Sequence, residues 1–307
     1  MTKYILKRLL MLIPVVIGIT AFIYVIMSLA PGDPATLILG SDATYEDILA
    51  KREELGLNDP IIIRYVKYMA GVLHGDFGSS WYNGFNVMSE FLSRLPNTLT
   101  LGLMSMGITI VIGIPLGVIA AVKQYGAIDY CTLVLAMLFS SMPAFWFGLM
   151  AQIFFCIKMG WFPATGADSL KHFILPAITL ASGSLAGQVR LTRTSMLEVN
   201  KLDYVRTARS KGASESRIIL KHVLRNGMLP VVTSIGGHFA TLIGGAIVTE
   251  SVFAIPGVAS LMINAVKIRD VPVVMGIIVV ISVFVGVVNL LVDLTYAFID
   301  PRVKLDG

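Results

Sequence analysis

Charge is what this chain most lacks. Only 14% of its 307 residues are Asp, Glu, Lys or Arg, against roughly a quarter in soluble domains. Hydrophobic residues make up 56%, and the mean hydropathy is +0.80. A soluble globular protein is thereby nearly excluded. Cysteine is almost absent too: Cys131 and Cys156 lie within apolar runs, with no CxxC and no His/Cys cluster, which argues against a disulfide framework and a zinc site. The net charge of +5 is mild and no basic tail exists, so no nucleic-acid partner is expected.

Catalytic motifs are missing as well. No lysine precedes Ser or Thr, so a phosphate-binding loop ending Gly-Lys-Ser/Thr cannot form. None of the four histidines (His74, His172, His222, His238) opens an HExxH, and no Gly-x-Ser-x-Gly occurs. The chain is not expected to be an enzyme or to carry a cofactor or metal. Ionisable groups are scarce inside the apolar runs, where each costs several kcal/mol. His238, Glu250 and Asp293 come nearest. A carrier running on an ion gradient usually needs such groups, which disfavours that class.

What is present is a set of long apolar runs. A spanning helix needs about 20 mostly apolar residues to cross a hydrocarbon core of about 30 Å. Six charge-free stretches meet that need: 9–32, 95–122, 130–157, 172–189, 226–249 and 271–292. A seventh, 251–266, is shorter and broken by Pro256-Gly257, and reads as interfacial or re-entrant. The expected fold is an all-α polytopic membrane protein with six transmembrane helices. An even count puts both termini on one side. With that side inside, the inner segments hold 15 Lys and Arg and the short outer loops four, so both termini are expected in the cytoplasm. The basic start and Ser28-Leu29-Ala30 imitate a secretion signal, but the apolar run exceeds the roughly 7–15 residues of a signal core.

Small residues recur within the spans as Gly113-x3-Gly117, around Pro115, and Gly183-x3-Gly187; such spacing permits close helix approach. Pro115, Pro143 and Pro176 can kink their helices. Gln188, His238, Asn264 and Asn289 are either polar packing groups or lining of a pathway.

Two regions lie outside the bilayer. The insert 33–94 has helix-like pieces at about 44–55 and 60–73, then a turn-rich Gly75-Asp76-Phe77-Gly78-Ser79-Ser80. Its Trp81-Tyr82 pair suits either an interfacial anchor or a docking surface, the anchor being favoured. The cytoplasmic stretch 190–225 holds nine basic and three acidic residues. Within it, 202–211 reads as a short helix broken at Gly212. Ser214 then caps a second helix with Glu215 in its first turn, on which Arg217, Lys221 and Arg225 form a cationic stripe beside Ile219 and Val223. Such an elbow either contacts a cytoplasmic protein or directs its basic side chains to anionic headgroups.

At Arg206-Thr207-Ala208, Gly212 and the later Leu229-Pro230, the chain resembles the permease subunits of bacterial ABC importers of the oligopeptide/dipeptide/nickel type. The same likeness extends to Ala30-Pro31-Gly32-Asp33-Pro34, His74-Gly75-Asp76-Phe77-Gly78-Ser79, Leu95-Pro96-Asn97-Thr98, Phe253-x2-Pro256-Gly257 and Ile299-Asp300-Pro301, in order over the whole chain. The family pattern opens with Glu where Arg206 stands, so any contact made by that Glu is not carried over. The resemblance implies a type I importer (MetI-like) bundle over 95–296 with a coupling helix at 202–226. It makes 1–94 the first span plus an extracytoplasmic insert, and 297–307 a cytoplasmic tail. It further implies a second homologous permease, two ATP-binding subunits that do the hydrolysis, an extracytoplasmic substrate-binding protein, and residence in the bacterial cytoplasmic membrane among its lipids. Arg206, Thr207, Ala208, Arg209, Lys211 and Gly212 become the expected contact with an ATPase subunit. Short peptides are the expected substrates, with glutathione and nickel complexes as alternatives of the same branch.

Overall fold

The computed structural model describes residues 2–40 and 42–299, and their side chains except at 2–3, 239–245 and 296–299. The terminal Asp300-Pro301 and the tail with Arg302 and Lys304 therefore lie outside the described residues.

Apolar runs become helices because, without water, every backbone N–H and C=O must be satisfied within its own segment. The order is α1 (Thr2–Leu29), α2 (Pro34–Leu39), α3 (Tyr45–Glu54), α4 (Ile61–Leu73), α5 (Val87–Ile108), a π-helical turn (Thr109–Gly113), α6 (Ile114–Val122), α7 (Ala127–Ser141), α8 (Ala144–Ala151) and a π-helical stretch (Gln152–Lys158). Then come α9 (Lys171–Asn200), α10 (Asp203–Ser210), α11 (Glu215–Ile218), a π-helical turn (Ile219–Val223), α12 (Leu224–Val252), α13 (Val258–Ile268) and α14 (Val271–Ile299). No strand is present among the described residues.

Three helical stretches, Tyr4–Leu29, Val87–Val122 and Val271–Thr295, are long and apolar enough to cross a membrane. The expected span 130–157 is two pieces, Ala127–Ser141 and Ala144–Lys158, bent by 99°. The break falls at Met142-Pro143, where Met142 is extended (ψ 130°), the conformation imposed on a residue before proline. The other two expected spans, 172–189 and 226–249, lie within α9 and α12.

The chain forms two compact units, Met1–Thr98 with Pro256–Leu290, and Leu99–Ile255 with the helix from Leu291. In the first, α1, α5, α13 and α14 share a core that includes Tyr24, Phe91, Leu261 and Met275. The segment expected to be interfacial or re-entrant contributes Val258, Leu261 and Ala265 of α13 to that core. Helix α3 starts at a reciprocal cap: the Asp47 N–H donates to Thr44 Oγ1 at 3.2 Å, and the Thr44 N–H to Asp47 Oδ2 at 3.3 Å.

Helix α4 packs on α1. Its Tyr65 hydroxyl donates to the Ile17 carbonyl at 3.0 Å and lies 2.9 Å from the buried Thr20 hydroxyl, both on α1. Meanwhile Ile62, Ile63 and Val66 are exposed.

A two-residue corner holds both ends of the insert. Helix α13 closes with Arg269 in the left-handed region (φ 58°), its N–H bonded to Val266 and that of Asp270 to Ala265. From this corner Arg269 Nη1 donates to the carbonyls of Ala30 and Gly32, each at 2.7 Å. Gly32 needs to be glycine, since its φ is +108°. The buried Asp270 carboxylate accepts from Ser80 Oγ and from the Trp81 N–H at 3.1 Å. Replacing Asp270 by Ala strands both donors. The expected loss is about 2 kcal/mol, read as faster limited proteolysis within 33–94 than in the wild type; unchanged cleavage would remove this corner from the account.

In the second unit α9 is central, with α6, α7, α8 and α12 packed around it. The two small-residue pairs behave differently. A Cβ on Gly113 would meet Gln188 and Leu185 at 3.3 Å, and one on Gly117 would meet Thr192 Cβ at 2.5 Å and the Val189 carbonyl oxygen at 2.8 Å. Around Gly183 and Gly187 there is open space. Only the first pair is a packing contact within the chain.

Candidate functional site: the elbow between α9 and α12

The elbow has an apolar root and a polar rim. Val205, Ile218, Val223, Met196 and Ala121 are buried together, with Ala208 packed against them. These positions follow from amphipathy: α10 offers the water-facing Arg206, Thr207 and Ser210 on one side and Val205 on the other. Asp203, in its first turn, opposes the helix dipole. Gly212 has φ +76° with open space around it and turns the chain into α11. Ser214 is the extended cap residue, but its side chain makes no capping hydrogen bond.

The expected stripe of Arg217, Lys221 and Arg225 requires correction. Residues 219–223 form a π-helical turn, which inserts an extra residue per turn and shifts the i, i+4, i+8 register. All three cations are nevertheless exposed.

The six expected coupling residues are divided between rim and root. Arg206, Thr207, Arg209, Lys211 and Gly212 are exposed. The Arg206 side chain is 70% exposed and lies 3.7 Å from Asp203, and Thr207 Oγ1 donates to the Asp203 carbonyl at 2.9 Å. Ala208 faces the root. Arg209 is engaged within the chain: its Nε donates to Glu215 Oε1 at 2.8 Å and its Nη2 to Asn200 Oδ1 at 2.7 Å. This brace ties the end of α9 to both arms of the elbow. The Arg209 hydrogen bond holds the Glu215 carboxyl below the usual carboxylate range, and Glu215 in turn raises Arg209. A cavity of about 250 Å³ lies beneath the brace, lined by Met196, Leu197, Asn200 and Ile219 among others.

Two contacts, one joining α9 to α12 at the foot of the elbow and one joining α10 to α12, were not legible beforehand. Ser195 Oγ donates to the Gly227 carbonyl at 2.7 Å, and Asn226 Nδ2 to the Tyr204 hydroxyl at 2.8 Å. Two helical turns before Asn200, the α9 residue Arg193 grips Asp129 of α7 with two parallel bonds of 2.7 Å, Nε to Oδ1 and Nη2 to Oδ2. The Tyr125 N–H completes the carboxylate at 2.9 Å. Asp129 is 1% exposed, and nothing in its spacing points to a partner 64 residues away.

The four polar residues singled out for a pathway lie on four different helices. Gln188 is fully buried against Gly113, and neither atom of its amide has a hydrogen-bond partner. His238 is half-buried on α12, while Asn264 on α13 and Asn289 on α14 are exposed. Among the described residues no group of three or more His, Cys, Asp or Glu is placed to hold a metal ion.

This is a helical, multi-pass membrane protein with an exposed elbow between α9 and α12. The chain belongs to the family described as the binding-protein-dependent transport system inner membrane component, whose model matches residues 113–305; the N-terminal model of the same systems matches residues 1–102. It is 41% identical to the oligopeptide transport system permease protein AppB of Bacillus subtilis (strain 168), over 99% of this chain and 100% of that one. It is 39% identical to the dipeptide transport system permease protein DppB of Alkalihalophilus pseudofirmus, with 99% and 100% covered. Identity to the glutathione transport system permease protein GsiC of Salmonella paratyphi A is 40%, with 99% of each covered. Among solved structures, an inward-facing MetNI methionine ABC transporter chain superposes with a TM-score of 0.58 at 17% identity, covering 69% of this chain and 97% of that one. That likeness concerns the fold: the type I, MetI-like bundle.

Proposed function

We propose that this chain is one transmembrane subunit of an ATP-driven importer for short peptides, lying in the bacterial cytoplasmic membrane with both termini in the cytoplasm. The observation that carries the reading is end-to-end identity of about 40% to permeases of oligopeptide, dipeptide and glutathione systems. In this reading the chain forms half of a pathway completed by a second, homologous permease. A substrate-binding protein delivers peptide from outside, and two ATP-binding subunits supply the energy. The open face at Gly183 and Gly187 on α9 suits a shared bundle.

The elbow is the coupling helix. Its exposed rim, Arg206, Thr207, Lys211 and Gly212, meets a cleft on an ATPase subunit, while Ala208 and Arg209 hold the elbow rigid so that displacement of the rim moves α9 and α12. ATP binding elsewhere then biases a two-state bundle. Replacing Gly212 by Trp places a bulky side chain on the rim at a backbone angle that L-residues rarely adopt. The expected result is a complex that assembles and hydrolyses ATP but does not take up peptide. Normal uptake would sink this assignment.

The test of the function itself is gentle extraction of the tagged chain from its host, mass spectrometry of what co-purifies, and an ATPase assay on the eluate. A second permease and two phosphate-loop proteins are the expected companions. A lone, ATPase-silent chain that still transports after reconstitution would overturn the reading in favour of a gradient-driven carrier.

A further inference from the structure

Where the insert leaves α1, the first unit encloses a cavity of about 300 Å³ walled by Tyr24, Ser28, Asp33, Arg52, Arg64 and Arg269, among others. Its charges do not balance. Three guanidinium groups meet one carboxylate, and that carboxylate is 3.4 Å from the partly exposed Arg52. Arg269 spends Nη1 on two backbone carbonyls. Arg64 is served least. Its Nη2 donates to Ser28 Oγ at 3.3 Å, its guanidinium carbon lies 5.9 Å from the centre of the Tyr24 ring, and its buried Nε has no acceptor.

Arg64 also lines a neighbouring cavity of about 220 Å³, together with Lys67 and Tyr68. There Lys67 is neutralised by Asp59 at 2.6 Å, and the buried Tyr68 hydroxyl has no partner. Burial, with a smaller contribution from Asp76, holds that phenol above its ordinary range, so it remains a hydrogen-bond donor. Unfilled N–H groups on a partly buried guanidinium are costly. The group that fits them carries negative charge and several acceptor oxygens, and a phosphate answers that need through bidentate Arg bonding.

The surroundings select the source of the phosphate. Arg64 reaches Tyr24 and Ser28 in the last two turns of α1, the depth at which a span meets headgroups. Tyr24 and Trp81 border the cavity, and Tyr and Trp are the residues enriched at that level. On the same helix as Arg64, Ile62 (77% exposed) and Val66 (57% exposed) present apolar surface suited to acyl chains. We infer that this cavity binds the phosphate of an anionic phospholipid headgroup, held chiefly by Arg64 with Arg52 and Arg269 as flanking cations. The inference rests on the membrane reading above and is independent of what is transported.

The test uses the full chain co-purified with its partners and exchanged into vesicles of phosphatidylcholine, with or without phosphatidylglycerol. Lipids retained after re-extraction are counted by native mass spectrometry. The wild type should retain phosphatidylglycerol in preference to phosphatidylcholine. Arg64→Gln should lower that retention about tenfold, the scale of a lost charge-assisted hydrogen bond, and Arg64→Lys should restore part of it. If Arg64→Gln does not accumulate, Arg52→Gln, on the exposed rim, should still reduce retention several-fold. Equal retention of both lipids by the wild type, or undiminished phosphatidylglycerol on folded variants, would overturn the proposal. So would full displacement of the lipid by millimolar inorganic phosphate, which would mark a free-phosphate site, or loss of preference only when the substrate-binding protein is added, which would mark a protein-docking site. Because retention is read without transport, a failed uptake assay leaves this result standing, and the reverse holds too.

Discussion

Substituting Gly117 by Val is expected to leave little folded protein in the membrane. The reason is a close approach of backbones: a Cβ at this position would lie 2.5 Å from Thr192 Cβ and 2.8 Å from the carbonyl oxygen of Val189. A carbonyl on α9 cannot swing aside as a side-chain tip can, so α6 and α9 must separate along their shared length. Overpacking of this kind costs 1–3 kcal/mol, and a branched residue against backbone belongs at about 3 kcal/mol or beyond. Gly286 supplies the contrast. The atoms nearest its added Cβ are Cδ2, Cδ1 and Cγ of the Leu12 side chain, which can rotate where a backbone carbonyl cannot, so Gly286→Ala should be tolerated better. Yield and thermal midpoint of the detergent-extracted variants measure both. A monodisperse Gly117→Val protein with the wild-type midpoint would show that the close approach is dispensable.

Asp129→Ala is expected to be nearly as damaging, for an electrostatic reason. The Arg193 side chain is 18% exposed and Asp129 only 1%. Removing the carboxylate strands a largely buried guanidinium, an error that costs about 3–5 kcal/mol. Removing both charges as Asp129→Ala with Arg193→Met should recover most of the loss, because a buried pair costs its own desolvation and its replacement by apolar atoms is often neutral. The measurement is a double-mutant cycle on thermal stability. Simply additive losses would mean that the two bonds contribute nothing as a pair. Uptake should follow stability, since Arg193 lies two turns before Asn200, where α9 meets the Arg209 brace. Loosening the pair frees α9 from α7 at the end that the elbow has to move.

Much of the local structure could be read directly. Charge-free runs marked helices at every expected position, and the turn residues Gly212 and Pro256-Gly257 marked breaks that occur where expected. The pieces at 44–55 and 60–73 became α3 and α4 nearly to the residue, because Thr44 and Asp47 form a cap and α4 is amphipathic. The elbow was legible for the same reason: in water, period and polarity still distinguish inside from outside. Within the spans they do not, since a helix facing lipid is apolar all round. Hydropathy therefore gave no sign that Gly113 and Gly117 are packed while Gly183 and Gly187 are open. The π-helical turn at 219–223 also escaped, because a period argument presupposes the regular helix that the turn interrupts.

The sequence by itself determined the solvent, the helical class, the breaks at Gly212 and Pro256-Gly257, and the kinship with binding-protein-dependent permeases, since each rests on composition or on motifs within a few residues. The tertiary structure alone decided the pairings across distance. It joined Asp129 to Arg193, Asp270 to Ser80 and Trp81, Arg269 to Ala30 and Gly32, and Tyr65 to Thr20 and Ile17. It also paired the exposed Arg209 with Glu215 and Asn200 as the brace of the elbow, and left Arg64 without a counter-charge beside a cavity. Partners tens to hundreds of residues apart are chosen by how helices pack. That packing depends on the shapes of whole faces, which no local pattern records.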